Sequence, residues 1–191
     1  MNSVKNVSGI CKCDKSEREL NWWKQYYHMN KERFYDIRNK DWEDRSYYLQ
    51  EIKGETGIGL DYGCGLLSML EFSDLKFDAI DPLMNEYREL MDLPSNYHVD
   101  TNKKYDWVWC INVLDHTPYP DVLIKDAIKR LKKGGRLYLE VNLDDVLGTE
   151  CHYERFTKEK IDELVTIHKD YEKIIRNEND KQYYYFAKYT R

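Results

Sequence analysis

The sequence has no long apolar run. Nothing in it approaches the roughly 18–20 consecutive apolar residues needed to cross a bilayer. Its amino-terminal stretch, MNSVKNVSGICKCDKSERELNWW, lacks the apolar core of a secretory signal. Both absences lead us to expect a cytoplasmic protein with no membrane role. Positive charge is not in excess either: the formal net charge is −5. A dedicated nucleic-acid binder needs a basic surface to displace counterions, so a nucleic-acid partner is not expected. The basic run Lys129-Arg130-Leu131-Lys132-Lys133 reads as a solvated helix end, where cations suit the helix dipole. The five cysteines, at 11, 13, 64, 110 and 151, are odd in number and scattered, which excludes a disulfide framework. Cys11-Lys12-Cys13 has no second pair at zinc-ligand spacing, so no metal site is expected. There is no internal repeat and no low-complexity tract.

What remains is one domain's worth of chain. The 191 residues, 41% hydrophobic and 34% charged, can bury one sizeable core but not a second. Ser16 to Ile52 is rich in aromatic and charged residues, with Leu20, Trp23, Tyr27, Phe34 and Ile37 at helical steps. This predicts helices, with Ser16 as N-cap and Glu19 completing a capping box. Gly54 and Gly57 break the pattern.

An alternation of strands and helices follows. Strands are expected at 57–62, 77–80, 97–99, 106–111 and 136–141. Helices are expected at 66–71, 85–91, 121–132 (with Val122, Ala127, Ile128 and Leu131 inward) and 157–168 (capped by Thr157). Apolar strands separated by crossovers indicate a mostly parallel sheet with helices on both faces. Residues 171–176 and 182–190 read as a closing antiparallel hairpin. That gives a seven-stranded α/β sheet. We divide it into an N-terminal helical cap or lid, 1–54, and a core, 55–191.

The stretch GIGLDYGCGLLSMLEF, residues 57–72, is a strand running into a tight loop. Ligands of open parallel sheets sit outside the carboxyl ends of the strands, which is where this loop falls. On its own it does not separate a dinucleotide from other nucleotide-like ligands. A third glycine of G-x-G-x-x-G is missing, its place taken by Ser68.

Taken together, LDYGCG, AIDP, YDWVWCINVLDH and LIKDAIKRLKKGGRLYLEVN resemble the class I S-adenosylmethionine-dependent methyltransferases. The similarity is to the broad type-11-like group with a Rossmann-like fold, and it extends over about residues 57–157. The resemblance implies that the methyl donor is S-adenosylmethionine and the product S-adenosylhomocysteine. It places the methionine end of the cofactor at Asp61, Tyr62, Gly63, Cys64 and Gly65, with Asp61 beside the ammonium and the following helix start beside the carboxylate. Asp81, about twenty residues past the loop, suits the ribose hydroxyls; an Asp before Pro82 also suits turn initiation. Pro82 departs from the family's usual residue there, and Leu83 then packs on the adenine. Asp100 and Thr101 are implied adenine contacts, and Asn112 the pocket floor.

The acceptor side is less defined. His116 and His152 lie in loops at the cofactor edge. Either could fix a loop, and His152 is our candidate general base. Asp144 and Asp145 read as solvated loop residues. Trp22, Trp23, Tyr26, Tyr27 and Trp42 could form an aromatic lid or helix core. Trp23, Tyr27, His116 and Asn142 are the candidate substrate contacts. A short lid favours a small acceptor such as a sugar, nucleotide or other metabolite. An RNA or protein acceptor, or a non-catalytic cofactor-binding subunit, are the alternatives. The expected assembly is a monomer or homodimer.

Overall fold

In a computed structural model, residues 14–44, 50–143, 153–176 and 182–191 are described. Helix α1 is Asp14–Asn30 and α2 is Phe34–Asp44, joined by a 3-10 turn at Lys31–Arg33. The strands are β1 Gly59–Tyr62, β2 Phe77–Ile80, β3 Tyr97–His98, β4 Tyr105–Ile111, β5 Leu131–Asn142, β6 His168–Arg176 and β7 Tyr183–Thr190. Helices α3 Met84–Arg88, α4 Pro120–Arg130 and α5 Lys158–Leu164 lie between them. The sheet runs β3-β2-β1-β4-β5-β7-β6. β1 to β5 pair in parallel, and β7 is antiparallel to both β5 and β6. This is the expected seven-stranded, mostly parallel sheet with its closing hairpin.

Side-chain alternation divides the core between the two faces. Leu60 and Tyr62 of β1, Val108 and Cys110 of β4, and Leu137, Leu139 and Val141 of β5 pack against α4 and α5 through Leu123, Ile124, Ala127 and Ile161. On the other face, Trp107, Trp109 and Ile111 of β4 meet Tyr138 and Phe186. Tyr27 and Phe34 of the N-terminal helices pack there with Leu66, Leu67, Leu83, Met84 and Tyr87. No helix among the described residues is long and apolar enough to cross a membrane.

Several boundaries differ from the expectation for local physical reasons. The backbone is helical from Asp14, so Ser16 lies inside the first turn and not before it. The segment after the glycine loop is a 3-10 turn, Met69–Phe72, not a helix from Leu66; Ser68 caps it by accepting from the Leu70 N–H. A four-residue turn with its donor occupied presents no helix terminus to an anion. In α4, Leu123, Ile124, Ala127 and Arg130 are buried while Val122 is 42% exposed. The phase is displaced because Pro120 starts the helix and a buried arginine takes an inward position. β5 begins at Leu131, straight off α4. Leu131 pairs with Tyr105, the register breaks, and Arg136 pairs with Trp107. The Gly134-Gly135 step is held by Arg191, which accepts from Gly134 N and donates to Gly135 O. Helix α5 stops at Leu164, where Val165-Thr166-Ile167 brings three β-branched residues in succession.

Candidate functional site

The carboxyl ends of β1 and β2 carry two buried carboxylates, and the backbone between them is folded around both. Gly63 and Gly65 take φ of +81° and +65°, values that glycine tolerates and other residues rarely adopt. The loop returns onto β2, with Gly63 N and Cys64 N both donating to Ile80 O. Asp81 then clamps it: Oδ2 accepts from Gly65 N at 3.0 Å and Oδ1 from Leu83 N at 2.9 Å. Asp81 therefore both initiates the turn through Pro82 and shapes the glycine loop. Leu83 is buried beside it.

Asp61 points to the face covered by α1 and α2. Its Oδ2 accepts from Ser68 Oγ at 2.5 Å, and Ser68 N donates to the Tyr97 hydroxyl at 3.0 Å. Ser68, noted in the sequence only as a missing glycine, is thus a fully buried hub joining β1, the 3-10 turn and β3. Burial pushes the Asp61 carboxyl up to about 7, against the lowering effects of Ser68 and Arg38. A carboxylate so placed is completed by a cationic group. Cys64 lies in the same loop, and burial together with Asp61 and Asp81 raises its thiol well above the ordinary range.

The N-terminal helices close over this loop. A Cβ on Gly65 would come within 2.8 Å of the Trp23 ring, so Gly65 is required both by its backbone and by that contact. Arg38 of α2 donates to Leu67 O at 2.8 Å and lies 5.5 Å from the Trp23 ring centroid. It brings positive charge to the Asp61 side of the loop, and no local motif marks it. Tyr27 is buried deeper, its ring 5.2 Å from that of Phe34.

Other expected residues fall around this centre. The Tyr62 side chain faces the opposite side of the sheet, where its hydroxyl donates to Asp126 Oδ2 at 2.8 Å; its backbone alone belongs to the loop end of β1. Asp100 follows β3, its Oδ1 accepting from Thr101 N at 2.7 Å and from Arg130 Nη2 at 2.6 Å. Asn112, just past β4, holds a left-handed φ of 54°, and its N–H donates to Glu140 O. Strain of this kind in a non-glycine residue marks a backbone fixed by its surroundings. His116 ends the 3-10 turn Leu114–His116, with Nδ1 4.0 Å from Glu19 of α1. Asn142 is buried at the end of β5 and donates to Gln182 at 2.5 Å. His152, Asp144 and Asp145 lie outside the described residues, as do the side chain of Trp42 and the pair Cys11 and Cys13. Among the described residues no group of His, Cys, Asp and Glu is arranged to hold a metal ion.

Known proteins share this sequence pattern and fold. A family described as "methyltransferase domain" matches residues 29–171. The chain is 28% identical over 108 residues to a tRNA U34 carboxymethyltransferase of Campylobacter lari, covering 49% of this chain and 37% of that protein. It is 27% identical over 133 residues to a mitochondrial ubiquinone biosynthesis O-methyltransferase of Candida albicans, covering 58% and 40%. The chain thus spans about two fifths of the length of these curated relatives. A solved 1,6-didemethyltoxoflavin-N1-methyltransferase of Burkholderia thailandensis, with 1,6-didemethyltoxoflavin and S-adenosylhomocysteine bound, superposes with a TM-score of 0.63. The match covers 100% of this chain and 99% of that one at 14% identity, a likeness of fold.

Proposed function

The chain belongs to the methyltransferase-domain family, within the class I S-adenosylmethionine-dependent methyltransferases, and on that premise we propose that it transfers a methyl group from S-adenosylmethionine to a small-molecule acceptor. One observation carries the reading: Asp61 and Asp81, both buried, flank a glycine loop whose backbone they help to fold. Asp61 is the partner for the cofactor's ammonium, and Arg38 that for its carboxylate. Asp81 receives the ribose hydroxyls, Leu83 lies against the adenine ring, and Asp100 and Thr101 meet its edge. Asn112 forms the floor beside the reacting methyl.

Bound S-adenosylmethionine supplies a methyl group already activated by its sulfonium. The chain's own task is orientation, which can contribute roughly 7–11 kcal/mol to lowering the barrier. Residues 1–54 act as the lid, with Trp23, Tyr27 and His116 on the acceptor side and Asn142 at the far wall. An acceptor hydroxyl or ammonium must also lose a proton, and His152 is the proposed base. The short lid supports a compact acceptor. An RNA acceptor is the second reading, since two relatives are tRNA U34 carboxymethyltransferases; the net charge of −5 weighs against it.

Calorimetric titration with S-adenosylhomocysteine tests the cofactor assignment. We expect saturable binding, weakened at least about tenfold in Asp81→Ala through loss of charge-assisted hydrogen bonds. No binding at millimolar ligand refutes the reading. Equal affinity in the variant refutes the ribose role.

A further inference from the structure

The basic run ahead of Gly134-Gly135 is not a uniformly solvated helix end. Arg130, in the last turn of α4, is only 6% exposed. Its Nε donates to Asp126 Oδ2 at 2.6 Å, Nη2 to Asp100 Oδ1 at 2.6 Å, and Nη1 to the Thr101 carbonyl. The guanidinium lies 5.6 Å from the Tyr62 ring centroid, and the Tyr62 hydroxyl donates to the same Asp126 oxygen.

A buried guanidinium needs its donors matched. Asp126, one helical turn away, would satisfy part of that need within α4. The fork instead reaches 30 residues back in the chain to the exit of β3, where it grips a carboxylate and the next carbonyl together. A carboxylate can accept about four hydrogen bonds. Arg130 and Thr101 N take two at Oδ1, which fixes the plane of the Asp100 carboxyl group. The rest of the turn is held separately. The Tyr105 hydroxyl reaches Thr101 Oγ1 and Asp78 Oδ2, and Lys103 pairs with Asp78 at 2.8 Å. Arg130 is thus the side chain that, with the Thr101 N–H, orients the carboxylate itself.

We propose that Arg130 is a positioning residue for cofactor recognition, holding Asp100 and Thr101 in the arrangement that receives the amino edge of adenine. The inference rests on the assignment of Asp100 to the adenine. Lysine cannot replace the arginine, because an ammonium is a point charge without the planar fork.

The test compares S-adenosylhomocysteine with S-inosylhomocysteine, which presents a carbonyl where adenine has its 6-amino donor. Dissociation constants are measured by calorimetry on the full chain. The wild-type protein should favour the adenosyl ligand by about tenfold or more, the effect of one hydrogen bond to a charged group. In Arg130→Lys that ratio should fall to about threefold or less, with weaker binding of the adenosyl ligand. Asp126→Asn loosens the arginine without touching the turn, and should give an intermediate ratio even where Arg130→Lys folds poorly. An unchanged ratio in a folded Arg130→Lys or Asp126→Asn protein overturns the proposal. A wild-type protein that binds both ligands equally removes the Asp100 assignment and the proposal with it. A wild-type protein that binds neither removes the cofactor reading itself.

Discussion

At the residue scale, the site turns on one buried carboxyl. Asp61 is held up to about 7 from an ordinary 3.8, with desolvation the largest cause. Below about pH 4 it is protonated in both folded and unfolded chains and costs nothing. Between about pH 4 and 7 the unfolded chain releases the proton while the folded one keeps it, so stability falls as pH rises. Above about pH 7 the whole penalty is present, on the order of 4 kcal/mol for a shift of about three pH units. Asp61→Asn keeps an oxygen for Ser68 and removes the charge. We expect it to be more stable than wild type at pH 8, with the gain shrinking to nothing near pH 4, as read from urea midpoints across that range. A gain independent of pH would show that Asp61 does not titrate there. The same variant should lose S-adenosylhomocysteine binding.

The positions of Asp61, Gly63, Gly65 and Asp81 could be read from sequence because they lie at or just past strand ends within one strand-loop-strand unit. Arg38 and Arg130 could not. Their partners Leu67 and Asp100 lie 29 and 30 residues away, and a cation turned inward, half-buried as in Arg38 or buried as in Arg130, looks like any surface one when written in a row. The functional assignment of the loop came from four motifs in order, since the glycine pair alone fits more than one ligand.

At the scale of elements, the contact between α1 and the glycine loop is the joint that matters. Trp23 stands over Gly65, where an added Cβ would meet its ring at 2.8 Å. Gly65→Ala therefore suffers twice, from a positive φ and from the indole. We expect a loss of about 1–3 kcal/mol in the single variant. In a double-mutant cycle with Trp23→Ala the clash is relieved and the dihedral cost is not. The Gly65→Ala penalty should thus be smaller in the Trp23→Ala background, with a coupling of about 0.5 kcal/mol or more by chemical denaturation. Strict additivity would show that the two elements do not press on one another. The strands were legible because buried parallel strands are near-continuous apolar runs, as in residues 107–111 of β4. The segment after the loop was not, because Leu66 and Leu67 are buried in irregular backbone, and apolar residues alone do not distinguish that from a helix. The inward side of α4 was misplaced for the same kind of reason: the sequence offers Val122 as an apolar residue, while the fold buries Arg130.

At the scale of the whole molecule, the candidate site draws on the ends of β1, β2 and β3 and on both N-terminal helices. A ligand there touches groups that come together only in the folded chain, so its binding free energy adds to folding stability. At a ligand concentration one hundred times its dissociation constant, the added stability is about 2.7 kcal/mol. A chain of this size shifts its melting temperature by roughly 2–4 °C per kcal/mol. S-adenosylhomocysteine should therefore raise the melting temperature by roughly 5–10 °C at that concentration. Because the candidate site draws on the sheet and on the N-terminal helices, the transition should rise as a single unit, with the hydrogen-exchange protection of α1 and the far-ultraviolet backbone signal moving together. If the backbone signal shifts while the hydrogen-exchange protection of α1 is lost at its unliganded temperature, the N-terminal helices are not part of the binding unit and the lid assignment fails. If neither moves at millimolar ligand, the cofactor reading fails with it. A joint shift that vanishes in Asp81→Ala ties the stabilisation to the carboxylate clamping the glycine loop, since that variant removes the acceptor of the Gly65 and Leu83 N–H groups together with the proposed ribose partner.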